Sequence, residues 1–148
     1  MKKLFVFITA AIVAVACNQR TEKTAGEKPV DVTQDSTNFT TIQWLDDSLN
    51  LGTVQEGAQV DVSFRFKNTG DKPLIISNVS AGCGCTVPET PKKPFQPGEE
   101  GMIQAKFNSE GRVGVNHKTV TVIANTKGTT SHILSFEVKV EGKENKQQ

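Results

Sequence analysis

From residue 39 onward, apolar and polar residues alternate with a period of two. Val60, Val62, Phe64 and Phe66 are interleaved with Asp61, Ser63, Arg65 and Lys67. Successive side chains of an extended chain point to opposite sides. This register therefore predicts a strand with one face in a core and the other in water. The same pattern returns in Ile103, Ala105 and Phe107 against Gln104, Lys106 and Asn108. It returns again in Val120, Val122 and Ala124 against Thr119, Thr121 and Ile123, and in Leu134, Phe136, Val138 and Val140 against Ser135, Glu137, Lys139 and Glu141. Ile42 and Trp44 mark a shorter strand, and residues 52–54 another, followed by a turn at Glu56 and Gly57. Residues 74–79 are more continuously apolar, as in a central strand, after a turn punctuated by Gly70 and Pro73.

About seven short strands, with no helical period beyond residue 16, predict an all-β, immunoglobulin-like sandwich. Phe64, Phe66, Phe107 and Phe136 are its expected large core residues, with Ile76, Val122 and Val138. The cysteine pair that bridges two immunoglobulin sheets is missing from the pattern, as is the mid-strand tryptophan. Packing alone is expected to hold the sheets together.

The first 38 residues obey a different pattern. Lys2 and Lys3 precede an apolar run over residues 4–15, too short to span a bilayer as a helix. The run ends Ala14-Val15-Ala16-Cys17, which resembles a bacterial lipobox. That resemblance implies a signal peptide over residues 1–16, cleavage before Cys17, and acylation of Cys17 on its sulfur and its new amine. The alternative is an ordinary secretory signal with small residues at its cleavage site. Two or more acyl chains anchor stably where one is marginal, so the lipid bilayer is an expected partner. Asn18 follows the cysteine where an Asp would signal retention, so the outer membrane is expected, with the domain facing the periplasm. Residues 17–38 are polar and read as a lipidated flexible tether, residues 39–142 as the sandwich, and residues 143–148 as a polar tail. Without Lys2 and Lys3 the 17 basic residues fall to 15 against 16 acidic ones, a formal charge of about −1. No basic surplus points to nucleic acid.

Three segments carry a family likeness: Phe64-Arg-Phe-Lys-Asn-Thr-Gly-Asp-Lys-Pro-Leu-Ile-Ile, then Cys83-Gly-Cys-Thr, then Phe95-Gln-Pro-Gly-Glu. Together they resemble the bacterial family called domain of unknown function 1573, over residues 44–125. The resemblance implies an immunoglobulin-like sandwich, kin to chaperone-type and cilia-associated β-domains and frequent in lipoproteins. It implies no activity.

With Cys17 assigned to lipid, two thiols remain, Cys83 and Cys85. In an oxidising compartment three states compete. Residues i and i+2 of an extended chain lie about 6.6 Å apart, near the upper limit for a disulfide, and a bend at Gly84 would shorten that. Two thiolates also suit a soft metal, Cu(I) or Zn(II). The third state is a pair of small buried thiols packed beside glycines. His117 is expected at the entry of the strand beside residues 74–79, within reach of both cysteines, which would supply a third metal ligand. His132 is expected at the opposite end. Pro88, Pro91, Pro94 and Pro97 recur every third residue, as along one edge of a polyproline II helix, or as stiffeners of a connecting loop. Asp35-Ser36-Thr37 and Asp47-Ser48-Leu49 resemble a bacterial O-glycosylation acceptor.

No nucleophile–base order, paired-carboxylate set or phosphate-binding glycine loop emerges, so no catalytic residue and no small-molecule substrate is assigned. The leading expectation is a lipid-anchored, non-catalytic interaction domain whose partner is an unidentified envelope protein. The alternative is a copper-, zinc- or thiol-handling envelope protein using Cys83, Cys85 and His117.

Overall fold

The alternating runs form strands in a computed structural model that describes residues 36–143. The expected signal peptide, Cys17, the expected tether up to residue 35 and the tail from 144 lie outside the described residues. After a short 3-10 turn at Ser36–Asn38 come β1 (Ile42–Trp44), β2 (Ser48–Gln55), β3 (Gln59–Asn68), β4 (Ile76–Ala81), β5 (Thr86–Pro88), β6 (Glu100–Asn108), β7 (Gly114–Ala124) and β8 (Ser131–Glu141). They make two four-stranded sheets, in the orders β1-β3-β6-β5 and β2-β8-β7-β4. The architecture is the expected immunoglobulin-like sandwich, built on eight strands rather than seven.

The apolar halves of the alternating runs meet between the sheets. Val62, Phe64 and Phe66 of β3 lie beside Ala105, Ile103 and Gly101 of β6 in the first sheet. Val120 and Val122 of β7 lie beside Leu134 and His132 of β8 in the second. Phe107 and Phe136 close the gap between sheets edge to face, with ring centroids 5.7 Å apart. The seven residues expected in the core are all buried, and Val62, Leu74, Ile103, Val120, Leu134 and Val140 join them. Each such side chain contributes about 1.5–3 kcal/mol through its removal from water.

The departures from the expected strands have physical causes. The eighth strand is β5, which pairs with the end of β6. Its Thr86 is buried and its Val87 is 63% exposed, the inverse of the pattern that marks a strand. Pro88 is tolerated because β5 is an edge. Strand β2 extends well beyond residues 52–54 because its alternation breaks at a bulge between Asn50 and Thr53. Gly52 turns there with φ +72°, and its N–H donates to Asn50 Oδ1 at 2.8 Å. Through β2 the chain crosses from the first sheet to the second, where it runs parallel to β8. Strand β4 starts two residues later than expected, because Leu74 instead exchanges backbone hydrogen bonds with Phe95 at 2.8 and 2.9 Å. That exchange ties down the proline-rich stretch, which is a connection between β5 and β6.

Candidate functional site: the disulfide turn and its cavity

Strand β4 runs antiparallel to β7, with Val79 opposite Val122 and Ala81 opposite Val120. The chain leaving β4 at Ala81 therefore emerges beside the first half of β7, as expected from the sandwich topology. Gly82 extends the pairing by one bond, from its N–H to Thr119 O at 3.4 Å. The chain then turns, and Thr86 N–H donates to Cys83 O at 3.3 Å. The bend brings the cysteine Cα atoms to 5.3 Å, and Cys83 and Cys85 are joined in a disulfide. Cys85 is 4% exposed and belongs to the core, whereas Cys83 is half-buried at its edge. The Thr86 hydroxyl stands between them, 3.8 Å from Cys83 Sγ and 3.9 Å from Cys85 Sγ.

Neither glycine of the turn is there for want of space. A Cβ on Gly82 would meet only Thr119 Oγ1, at 3.5 Å, and one on Gly84 would meet nothing within 4 Å. The glycines that are sterically required lie elsewhere, at Gly70 and Gly101.

Beside the turn is an open cavity of about 350 Å³. Cys83 and Gly82 form one wall, His117, Lys118 and Thr119 of β7 another, and Ser135 and Glu137 of β8 the third. His117 and Cys83 thus share one cavity. The His117 side chain is largely solvated, and its Nδ1 lies 3.4 Å from Glu137 Oε2. Glu137 sits directly opposite His117 in the ladder, so the pair follows from register. His117 lies three residues inside β7 rather than at its start, because Gly114 to Asn116 also pair with β8.

His132 lies five residues along the same ladder, opposite Val122, roughly 17 Å away by strand rise. Its ring packs against Trp44, with centroids 5.8 Å apart, and its Nε2 is 2.7 Å from Thr126 Oγ1. The Thr126 hydroxyl itself donates to Thr129 O at 2.6 Å, so His132 Nε2 carries the proton of the bond between them. Burial lowers the His132 pKa below its ordinary value. The two histidines are therefore separate, His117 on the cavity with Cys83 and His132 beside Trp44.

With both sulfurs in the disulfide, Cys83, Cys85 and His117 do not present two thiolates and an imidazole. Among the described residues no three His, Cys, Asp or Glu side chains converge as a metal cradle. The disulfide and the cavity are the chemistry the turn offers. Sequence reasoning did not find Lys118, Ser48, Ser135 and Glu137 on its walls. Glu137 was legible only in combination, as a polar-face residue whose partner depends on the β7–β8 register. Of the two glycosylation-like motifs, the first includes Asp35, outside the described residues. In the second, Ser48 opens β2 and its Oγ accepts from Ser135 Oγ at 3.2 Å.

The fold has relatives among solved structures. A protein of unknown function from Porphyromonas gingivalis W83 superposes with a TM-score of 0.61 at 13% identity, over 71% of this chain and 49% of that one. The chain thus spans about half the length of that relative. The ASH/PapD-like domain 7 of human CEP192 gives a TM-score of 0.53 at 12% identity, over 71% of this chain and 87% of the domain. The secreted serine protease VesC from Vibrio cholerae gives 0.51 at 12% identity, over 68% of this chain and 23% of the protease. Likeness at such identity concerns the sandwich alone. No match was found among curated proteins. Residues 42–140 match the family model described as "Protein of unknown function (DUF1573)", from the first residue of β1 to the penultimate residue of β8, and the chain belongs to that family.

Proposed function

We propose that this chain is a lipid-anchored, non-catalytic interaction domain of the bacterial envelope, held to the outer membrane through an acylated Cys17 and facing the periplasm. The observation that carries the interaction reading is the edge strand β2. Six of its eight residues pair with β8 on one side, and no strand of the described residues lies along the other. Such an edge accepts an extended segment of a partner, whose backbone supplies the missing half of the ladder. The occupant we infer is an envelope protein. The lipobox-like Ala14-Val15-Ala16-Cys17 supports the anchor, and the polar stretch after it supports a tether that lets the domain reach such a partner. The non-catalytic reading draws support from the close hydroxyl–imidazole pair of Thr126 and His132. There the hydroxyl gives its proton to Thr129 O and not to the ring, so the ring does not act as a base on it.

Two measurements test the reading. Cys17→Ser is expected to move the protein from the membrane to the soluble fraction of its native host, and a mutant that still sediments with membranes would refute the anchor. A photo-crosslinking residue placed at Asn50 or Thr53 of β2 is expected to capture an envelope protein in intact cells, while one at Gln104 of the opposite sheet captures none. Equal capture from both sites would remove the edge-strand interaction.

A further inference from the structure

We propose that Cys83–Cys85 is a reversible dithiol–disulfide couple, exchanging with external thiols through the cavity lined by His117, Lys118 and Glu137. The bond encloses a single residue. It removes little freedom from the unfolded chain, and the turn it closes already links β4 of one sheet to β5 of the other through the backbone. A structural staple would join segments that the chain does not already hold together.

The backbone around the bond is fixed without help from sulfur. Asn108 N–H donates to Cys85 O at 2.8 Å, Thr86 N–H to Cys83 O, and Gly82 N–H to Thr119 O. Opening the bond therefore leaves both cysteines poised at the same separation, ready to close again.

The two sulfurs are unequal. Cys83 lines the cavity and Cys85 is buried in the core, so an incoming thiolate reaches Cys83 Sγ. Attack there forms a mixed disulfide between Cys83 and the incoming sulfur and expels the Cys85 thiolate. The Thr86 hydroxyl, 3.9 Å away, is placed to donate to it. A second thiolate then attacks the external sulfur of the mixed disulfide and releases the Cys83 thiolate, and each cysteine takes a proton. In balance, the protein disulfide and two thiols give the protein dithiol and one external disulfide, a two-electron transfer. The co-reactant is a thiol, either a small molecule or a cysteine of another protein.

The test uses the full chain bearing Cys17→Ser, so that two sulfurs remain to titrate. In glutathione buffers of graded ratio, the Cys83–Cys85 pair is expected to pass from fully oxidised to fully reduced, scored by the mass added on alkylation. The circular dichroism of the two forms is expected to coincide. With oxidised glutathione as probe, Cys85→Ser accumulates a mixed disulfide on Cys83, while Cys83→Ser reacts about tenfold more slowly or less, because its remaining thiol is buried. A disulfide that opens only in denaturant, a fold lost on reduction, or equal rates for the two folded variants would each overturn the proposal. The wild-type titration decides it even where a variant does not fold.

Discussion

Thr40 Oγ1 donates a hydrogen bond of 2.9 Å to Asn68 Oδ1, and both residues are buried. Asn68 ends β3 and opens the Asn-Thr-Gly turn, and its amide also donates to Lys72 O at 2.8 Å and Phe95 O at 2.9 Å. One side chain thus fixes the segment before β1, the turn after β3 and the proline-rich connection. Asn125 plays the matching part at the end of β7, accepting from Ile75 N–H at 2.7 Å and donating to Asn38 O and Pro73 O. Asn68→Ala removes the donor to Lys72 O and Phe95 O and the acceptor of the buried Thr40 hydroxyl, so a loss of about 2–3 kcal/mol is expected in urea unfolding. Thr40→Val removes a single donor and is expected to cost about 1 kcal/mol. Equal and negligible costs would show that water replaces these bonds freely.

Phe66 is fully buried, packed edge to face on Trp44 at 5.5 Å and on Phe95 at 4.8 Å. Phe66→Ala is expected to destabilise by about 3–5 kcal/mol. Its neighbour Arg65 points to solvent, where Nε meets Asp46 Oδ2 at 2.6 Å and the second nitrogen meets Oδ1 at 3.1 Å. The hydrogen bond from Arg65 holds the Asp46 carboxyl below its usual range, but the pair is solvated. Arg65→Ala is expected to shift the denaturant midpoint by only a small fraction of the Phe66 effect. Comparable shifts would contradict the strand's register.

Three glycines separate packing from chain freedom. A Cβ on Gly101 would fall 2.6 Å from Phe66 Cζ, and one on Gly70 would fall 2.6 Å from the backbone N of Thr41. Gly101→Ala and Gly70→Ala are each expected to lower stability by about 1–3 kcal/mol through overpacking. Gly84→Ala meets open space and is expected to lie within about 0.5 kcal/mol of wild type in the same melts.

His132 makes stability depend on pH. Its folded-state pKa is depressed by burial below the ordinary 6.5. Above pH 6.5 the ring is neutral in both states and its contribution is fully present. As pH falls below that value the unfolded chain binds the proton first, and the contribution is lost as pH passes down through the folded value. Thermal melts between pH 7.5 and 5 are expected to show wild type losing stability faster than His132→Gln, which keeps a donor for Thr126. Parallel profiles would assign the pH dependence to other groups.

The sequence by itself determined the strands that obey a simple two-residue period, and through them the fold class. Phe64, Phe66, Phe107, Phe136 and Val138 could be placed inward because burying one face of each run is the dominant favourable term. It also determined the antiparallel pairing of β4 with β7, which follows from sandwich topology once the strands are counted off. The tertiary structure decided what local pattern does not encode. Strand β5 reads backwards, with Thr86 in and Val87 out, because its place is set by β6. Strand β2 hides behind the bulge at Gly52. Asn68, a turn residue by its sequence, became a buried hub only because Thr40, Lys72 and Phe95 arrive from elsewhere in the chain. The state of Cys83 and Cys85 was open for the same reason: spacing alone left disulfide, metal and free thiols in competition. The choice depended on the bend that Thr86 closes locally and that Thr119 and Asn108 hold by hydrogen bonds across the fold, contacts that form only when distant segments meet.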